Sequence, residues 1–528
     1  MRIGDLIERR ARNSPERVFW QGPTQGWTYG ELERESARAA RALWASGLRP
    51  GSHVALYSGN RFAYASAHFG AARAGLVLAH LNGRYAAPEL AARMNHSQAR
   101  LLFFGAEQME RVAEVRTQLG AVRQFVMLPE DESPTPAAPP WAVSYAAWLE
   151  QGLRLPSEEV ELLGRQVRAL DPALPFQLLY TSGTTGHPKG ALISHRAKLR
   201  QGTTHALNLG LVEGDRVLSA LPLCHQFAQW LILVSVPLAG ATVVARPALE
   251  PGEAWRILRE GAITHLPAVP TLLYRLLDHP AAEGPPPPHL RCIVYGAAPI
   301  APGRIPQLRQ RFPGTRLFQG FGQTETGYCL GLHDSDHEAH GDTLGRPDLF
   351  GEIRLLDPAG REVAPGEVGE IVARSPYLMN GYFQNPEATA EYFAQGPQWG
   401  RTGDLAWRDP EGFYHLAGRK DDLVISGGVN IYPAEVERVL ESHERVREAA
   451  AFGVPDPEWG HSLAVAVLLR EAPPPEELEA LMLALKQHCR AHLAGFKCPR
   501  RFYFPNEFPR TDNGKVQKFL LRSLLIAK

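Results

Sequence analysis

The chain has no excess of charge of either sign. Its 528 residues include 56 basic and 56 acidic side chains, which cancel. Without a net field there is nothing to gather nucleic acid or an anionic membrane over the whole surface, so any polyanion must be bound locally. Cysteine is scarce. Cys224, Cys292, Cys329, Cys489 and Cys498 are odd in number and scattered, which argues against a disulfide framework or a zinc cluster and for a reducing, cytoplasmic setting. Long apolar runs are missing as well. The longest, residues 230–245, is broken by Ser235, Pro237 and Gly240 and falls short of the ~20 residues a membrane-spanning helix needs. It reads as buried helix and strand. The opening MRIGDLIERRARNSPERVFW has no signal-peptide core; it reads as an amphipathic helix, and secretion is not expected.

Length points to more than one folded unit, because a single core stops growing at about 250–300 residues. Proline-rich stretches at 129–140, 284–288 and 473–475 separate periodic segments and read as loops or linkers. Between residues 175 and 325 short apolar runs alternate with helical patterns, which predicts βα units and a mainly parallel sheet. The runs cover 176–180, 217–221, 264–268, 291–295 and 316–319, and they lead into TSGTTG, LCHQF, VPT, GAAP and GFGQTE. As parallel strands of one sheet they would deliver all five segments to its carboxyl edge, where open α/β sheets bind ligands. After residue 416 the texture changes. GRKDDLVISGGVNIYPAEVE is followed by a helix pattern, strand patterns over 448–454 and 463–469, a long helix over 476–493 and a short strand over 501–504. That is a small α+β domain of about a hundred residues.

The segment 181–190, TSGTTGHPKG, has the chemistry of a phosphate loop. Gly183, Gly186 and Gly190 let the backbone aim several N–H groups at one anion, Thr181, Ser182, Thr184 and Thr185 add hydroxyl donors, and Lys189 adds a point charge. It is not a P-loop of the Walker type, since Pro188 precedes the lysine and Gly190 stands where a Ser or Thr would hold the metal. A solvated polar connection is the bland alternative; the apolar strand before it and the lysine at its end favour phosphate binding.

TSGTTGHPKG, LPLCHQF, GFGQTETG, RTGD, GRKDD and PRTDNGK stand in the order of the core motifs of acyl-CoA synthetases and related adenylate-forming enzymes. Over nearly its whole length the chain resembles that family, in texture nearest to aryl- or medium-chain acyl-CoA ligases. The resemblance implies an α/β fold, with a large N-terminal domain of mainly parallel sheets flanked by helices (1–418), a hinge (419–421) and a small mobile α+β C-terminal domain (422–528). It implies ATP, Mg2+ and coenzyme A. A carboxylic acid is activated as its acyl adenylate in one pose of the small domain, and the thiol of coenzyme A takes the acyl group in a second. A homodimer is compatible with it; a nucleic-acid partner or a membrane span is not expected.

The same resemblance implies roles. Lys515 bridges the acid and the α-phosphate. Glu325 holds magnesium, with Thr324 at the α-phosphate; one carboxylate suffices because magnesium takes most of its ligands from phosphate oxygens and water. Asp404 accepts the ribose hydroxyls, Arg419 contacts the ribose, and Gly296, Ala297, Ala298 and Pro299 lie against the adenine. Asp421 is the hinge residue. Gly427 and Gly428 line the pantetheine tunnel, Trp459 and Phe496 stand near the coenzyme A adenine, and Lys497 near its phosphates. Cys498 occupies a place where some relatives have arginine. His225 gates the carboxylate. Residues 224–230 contain no aspartate to pair with a substrate ammonium, which disfavours amino acids. Gly322 stands where acetate-activating relatives carry tryptophan, so the acyl pocket is expected to extend beyond two carbons. An aromatic or medium-chain acid is expected, with transfer to an amine or a carrier-protein arm as the alternative second step.

Overall fold

The computed structural model describes residues 1–132, 134–181, 189–298, 300–301, 303–426, 429–457, 459–471, 473–510 and 516–526. Two large sheets organise the first four hundred or so residues. In the eight-stranded one, five strands from Pro175–Thr181 through Val77–Asn82, His53–Ser58 and Leu101–Phe104 to Gln124–Met127 run parallel. VLAHLN and LLFF are buried at every position, as expected of parallel strands covered on both faces. The nine-stranded sheet has a parallel centre formed by Val18–Gln21, Thr242–Ala245, Arg216–Ser219, His265–Ala268, Cys292–Gly296 and Arg316–Gln323.

Helix Phe62–Ala74 (FAYASAHFGAARA) is buried at all positions but one, the mark of a helix apolar on every side. One core joins it to both sheets, with Phe69 in the same cluster as Leu56 and Leu78 of the first and Val217 and Val243 of the second. Helix Tyr29–Ala45 packs beside it. Thr28 and Glu31 form a reciprocal capping box that starts this helix, and a Cβ on Gly70 would come 2.6 Å from that of Ala39.

One expectation is corrected. The five apolar runs do not share a sheet: Pro175–Thr181 belongs to the eight-stranded sheet and the other four to the nine-stranded one. The cause is local. Pro175–Thr181 is followed by its antiparallel partner Lys189–Ser194, so the chain returns as a hairpin where a crossover helix would have carried it to a parallel neighbour. The region 352–419 adds a further sheet beside the two mainly parallel ones. Glu352–Leu356, Gly369–Arg374, Gly400–Arg408 and Tyr414–Arg419 form a separate antiparallel sheet.

The C-terminal part is α+β. Val446–Asp456 and Gly460–Leu469 pair antiparallel, Arg501–Tyr503 adds a parallel edge, and helices Pro433–Glu441 and Leu478–His492 cover one face through Val436, Leu440, Leu485 and Cys489. The apolar run near 230–245 is helix and strand: Gln226–Trp230, a π-helical turn Leu231–Ser235, Val236–Ala239 and strand Thr242–Ala245. Among the described residues no helix is long and apolar enough to cross a membrane. All five cysteines are free.

Candidate active site

Strands Cys292–Gly296 and Arg316–Gln323 are parallel neighbours, with Gly296 opposite Gly320. A Cβ on Gly296 would lie 2.4 Å from the Gly320 carbonyl oxygen, so two backbones touch where a side chain has no room. Ala297 follows with φ of 70°, a left-handed conformation that costs a residue with a Cβ about 1–2 kcal/mol. Such strain concentrates at functional sites. Ala297 is exposed and Ala298 half-buried, which leaves a ledge poor in side chains at the carboxyl edge of the sheet. Pro299 lies outside the described residues.

Arg316–Gln323 turns back antiparallel into Gly327–Leu332 with a bulge between Phe321 and Gly322. A Cβ on Gly322 would fall 2.0 Å from the Gly327 carbonyl oxygen, so this turn admits no larger residue without moving. The turn carries Thr324, half-buried, and Glu325, buried. Tyr382 donates its hydroxyl to Glu325 Oε1 at 2.9 Å, and the Met379 N–H donates to the Glu325 carbonyl at 2.8 Å. Tyr382 lies on a short strand paired with Lys189–Ser194, and the Lys189 Nζ stands 5.7 Å from the centre of its ring. Tyr382 thus links the end of the phosphate loop to Glu325. Within that loop Thr181 pairs with Lys189, while Ser182, Gly183, Thr184, Thr185 and Gly186 lie outside the described residues.

Asp404 is 6 % exposed and sits directly opposite Arg419 in the antiparallel sheet. The Arg419 Nη1 is 3.3 Å from its Oδ1, and Gln323 donates Nε2 to its Oδ2 and to the Thr402 carbonyl, both at 2.7 Å. Gln323 therefore ties the strand that leads to Glu325 to the sheet that bears Asp404. Neither Gln323 nor Tyr382 was singled out from sequence. Gln323 had a signal, its place inside GQTETG beside Glu325; Tyr382 had none, because only the pairing with Lys189–Ser194 brings it there.

Lys420 and Asp421 lie in a single 3₁₀ turn, Lys420–Asp422, with Asp421 exposed. Lys420 Nζ is 3.5 Å from Glu370 Oε2, and Arg401 Nε donates to Glu370 Oε1 at 3.1 Å. Burial works against charge on Glu370, but the Arg401 hydrogen bonds and the charges of Arg401 and Lys420 outweigh it and hold the carboxyl below its ordinary range. Beyond the turn, Arg438 donates to the Leu416 carbonyl at 3.0 Å.

The other wall of the site comes from the segment after Arg216–Ser219. Asn60 clamps it, donating to the Leu221 carbonyl and accepting from the Leu223 N–H, both at 2.9 Å. His225 precedes helix Gln226–Trp230, with Nε2 3.4 Å from Asn82 Nδ2 at the end of strand Val77–Asn82. Burial, and then the charge of Arg84, push its imidazole down to about 4, so it is neutral at neutral pH. Behind it the wall is aromatic. Trp230 stacks on Phe227 at 5.4 Å and on His205 at 3.4 Å, and Tyr328 lies 4.6 Å from His205.

Trp459 and Phe496 are exposed, and their cationic neighbours are of their own domain: Arg500 lies 5.3 Å over Trp459 and Lys497 5.9 Å over Phe496. Lys497 is paired with Glu435 at 2.7 and 2.8 Å, so a phosphate would have to compete with that carboxylate. Gly427, Gly428 and Lys515 lie outside the described residues. The structure thus brings Gly296, Ala297, Lys189, Glu325, Asp404 and Arg419 to connected strand ends, with His225 on the neighbouring wall, and it keeps Trp459 and Phe496 on the smaller domain.

These residues fit a nucleotide and its metal. The ledge suits a flat base, Asp404 is a buried acceptor for hydroxyls, and Glu325 is a lone buried carboxylate of the kind magnesium uses with phosphate oxygens. Among the described residues there is no group of three or more His, Cys, Asp or Glu that would form an all-protein metal cage.

Known proteins match the chain in sequence and in fold. The family model for the AMP-binding enzyme matches residues 7–383, and that for the AMP-binding enzyme C-terminal domain matches residues 435–515. A feruloyl-CoA synthase from Amycolatopsis sp is 33% identical over 519 residues, covering 98% of this chain and 97% of the relative. The anthranilate CoA ligase AuaEII in complex with anthranoyl-AMP superposes with a TM-score of 0.86 at 25% identity, over 100% of this chain and 98% of that one. The amide bond synthetase McbA from Marinactinospora thermotolerans gives 0.85 at 27% identity, over 99% of both chains. Two family models that span most of the chain, and relatives that match it from end to end, lead to one conclusion: this protein belongs to the AMP-binding enzyme family, as an acid–thiol ligase that forms AMP.

Proposed function

We propose that this ligase activates an aromatic or medium-chain carboxylic acid as its acyl adenylate, with Glu325, Thr324, His225 and Lys515 at the reacting groups, and passes the acyl group to coenzyme A. The observation that carries the reading is the joining of Asp404, Gln323 and Arg419 by hydrogen bond and ion pair, with Glu325 two residues beyond Gln323 and held by Tyr382. Gln323 and Arg419 orient Asp404 so that its acceptor-only oxygens are fixed for ribose hydroxyls. The Gly296–Ala298 ledge leaves room for adenine. Glu325 is the residue to hold magnesium, which when bound neutralises phosphate charge.

Attack of a carboxylate on the α-phosphate brings two anions together, so the chain must supply positive charge where the negative charge accumulates. Lys189 and Lys515 are the residues for that task. His225, held neutral by burial, offers the acid a hydrogen bond without adding charge. We place the domain boundary at the 419–421 hinge, with units 1–418 and 422–528. The Lys420–Glu370 tie and the short 3₁₀ turn support it, since a hinge is a few element-terminal residues that absorb a change of dihedrals. Exposed Trp459 and Phe496 support coenzyme A as acceptor, because a purine needs an aromatic face or apolar surface to lie against. The five free thiols support a cytoplasmic setting.

The likeness to an amide bond synthetase keeps one other second step in view, transfer to an amine. Incubation with ATP, magnesium and a cinnamate or hexanoate acid, in the presence of coenzyme A, pantetheine or a simple amine, separates the two. The expected result is a thioester with coenzyme A at least tenfold faster than with pantetheine, and no amide; an amide formed faster than the thioester overturns the choice of acceptor.

A further inference from the structure

Helix His195–Leu209 turns Lys198, Gln201, Gly202 and His205 toward the core, at the i, i+3, i+4 and i+7 spacing that gives one face. A buried face is ordinarily apolar; this one is polar. Lys198 is 0% exposed, and its ammonium donates to Gln226 Oε1 at 2.5 Å and Gln229 Oε1 at 3.3 Å. Among the described residues no carboxylate pairs with it. Burial alone depresses this lysine, with no acidic side chain pulling the other way. His68, His80 and His205 face the same seam, each pushed down by burial and further by the lysine's charge. An amine so placed is less stable as a cation than in water unless an anion joins it.

The donors around it are unfinished. Gln229 Nε2 and both ring nitrogens of His205 are buried without a hydrogen-bond partner among the described residues, a state uncommon enough in native interiors to require a cause. The seam starts beside the acid gate, because Gln226 follows His225 directly and is half-buried, reaching Lys198 with Oε1 and Gln201 with Nε2 at 2.9 Å. Its far wall is the π-helical turn Leu231–Ser235, where a Cβ on Gly202 would meet Val234 Cγ1 at 2.3 Å and Ser235 donates to the Gly202 carbonyl at 2.7 Å. Single π turns are frequent at functional sites.

We propose that Lys198, with Gln229 and His205 as further donors, closes the far end of the acyl pocket and recognises a second anionic group on the acid, a carboxylate or sulfonate, so that the preferred substrate is a dianionic acid. The inference rests on the ligase reading above and names its substrate class. The anion takes the place of the Gln226 and Gln229 oxygens at the ammonium, converting a buried unpaired cation into a buried pair. A site built around a polar group also rejects the analogue that lacks it, since its own donors are then left without partners.

The test measures kcat/KM for coenzyme-A-dependent AMP formation with two matched pairs, adipate against hexanoate and 4-carboxycinnamate against cinnamate, for the natural protein and for Lys198→Met. Methionine matches the length of the lysine stem and is at home in a core. The natural protein is expected to favour the dianion of at least one pair by tenfold or more, and Lys198→Met to shift that ratio by about 100-fold toward the monoanion. A ratio identical in the two proteins overturns the inference, as does a natural protein that prefers the monoanion in both pairs, which decides the matter even where the variant does not fold. A lysine with only a structural part lowers both members of a pair alike. Absence of AMP formation with all four acids and a wider monoacid panel removes the ligase reading itself, and the inference with it.

Discussion

Asp404 and Lys198 are both buried charges, and the protein surrounds them in opposite ways. Asp404 has an arginine and a glutamine aimed at it, in a sheet whose register places Arg419 directly opposite. Lys198 has two amide oxygens and no counter-ion among the described residues. The first site is complete before any ligand arrives, as preorganised electrostatics require. The second is unbalanced, and an anionic group on the acid would balance it. Nucleotide chemistry is the same in every turnover and is built into rigid strands. The acid differs between ligases, and its recognition falls to one helix face beside a π turn.

The largest effect is expected on the nucleotide side, where Lys515→Ala removes the charge that joins the two anions: adenylate formation falls about 10³-fold, while thioester formation from supplied acyl adenylate persists. Rapid-quench measurement of both half-reactions checks it, and equal loss in both would falsify the division of labour. Asp404→Asn is smaller. An amide keeps the shape but presents one acceptor where two are needed, so KM for ATP rises about tenfold or more with KM for the acid unmoved; a parallel rise in both would mean that Asp404 holds the whole site rather than the nucleotide.

The smallest effect concerns pH and stability. His68 and His195 are pushed down to about 3, and His225 and His337 to about 4, by burial first, with His80 and His205 also well below the usual 6.5. The unfolded chain binds more protons than the folded one between those values and 6.5, so stability rises with pH across that window and is lost as pH falls through it. Asp131 and Glu441, raised by burial to about 6 and about 8, act in the other direction, but the histidines outnumber them. Tm should therefore fall steadily from pH 6.5 to 4, and a flat or rising profile would show that the seam is open to solvent.

Much of the nucleotide side was legible in the sequence, because its chemistry is written in short motifs at strand ends. Glu325, Asp404 and Arg419 enter through the family resemblance those motifs carry, and the strand patterns over 448–454 and 463–469 stand in the structure as Val446–Asp456 and Gly460–Leu469. What was not legible depends on pairing at a distance. The assignment of Pro175–Thr181 to a different sheet turns on a hairpin return, and Tyr382 reaches Glu325 only through an edge strand of two residues. Lys198 carries no motif that marks it in the sequence: only tertiary packing reveals that the polar face of HRAKLRQGTTHALNL is inside.

The most direct test of the account is the product balance of one turnover. With ATP, magnesium, coenzyme A and an accepted acid, the protein is expected to release one AMP and one pyrophosphate for each acyl-CoA formed, with pyrophosphate appearing before the thioester. Release of ADP and phosphate, or thioester formation without prior pyrophosphate, would contradict it.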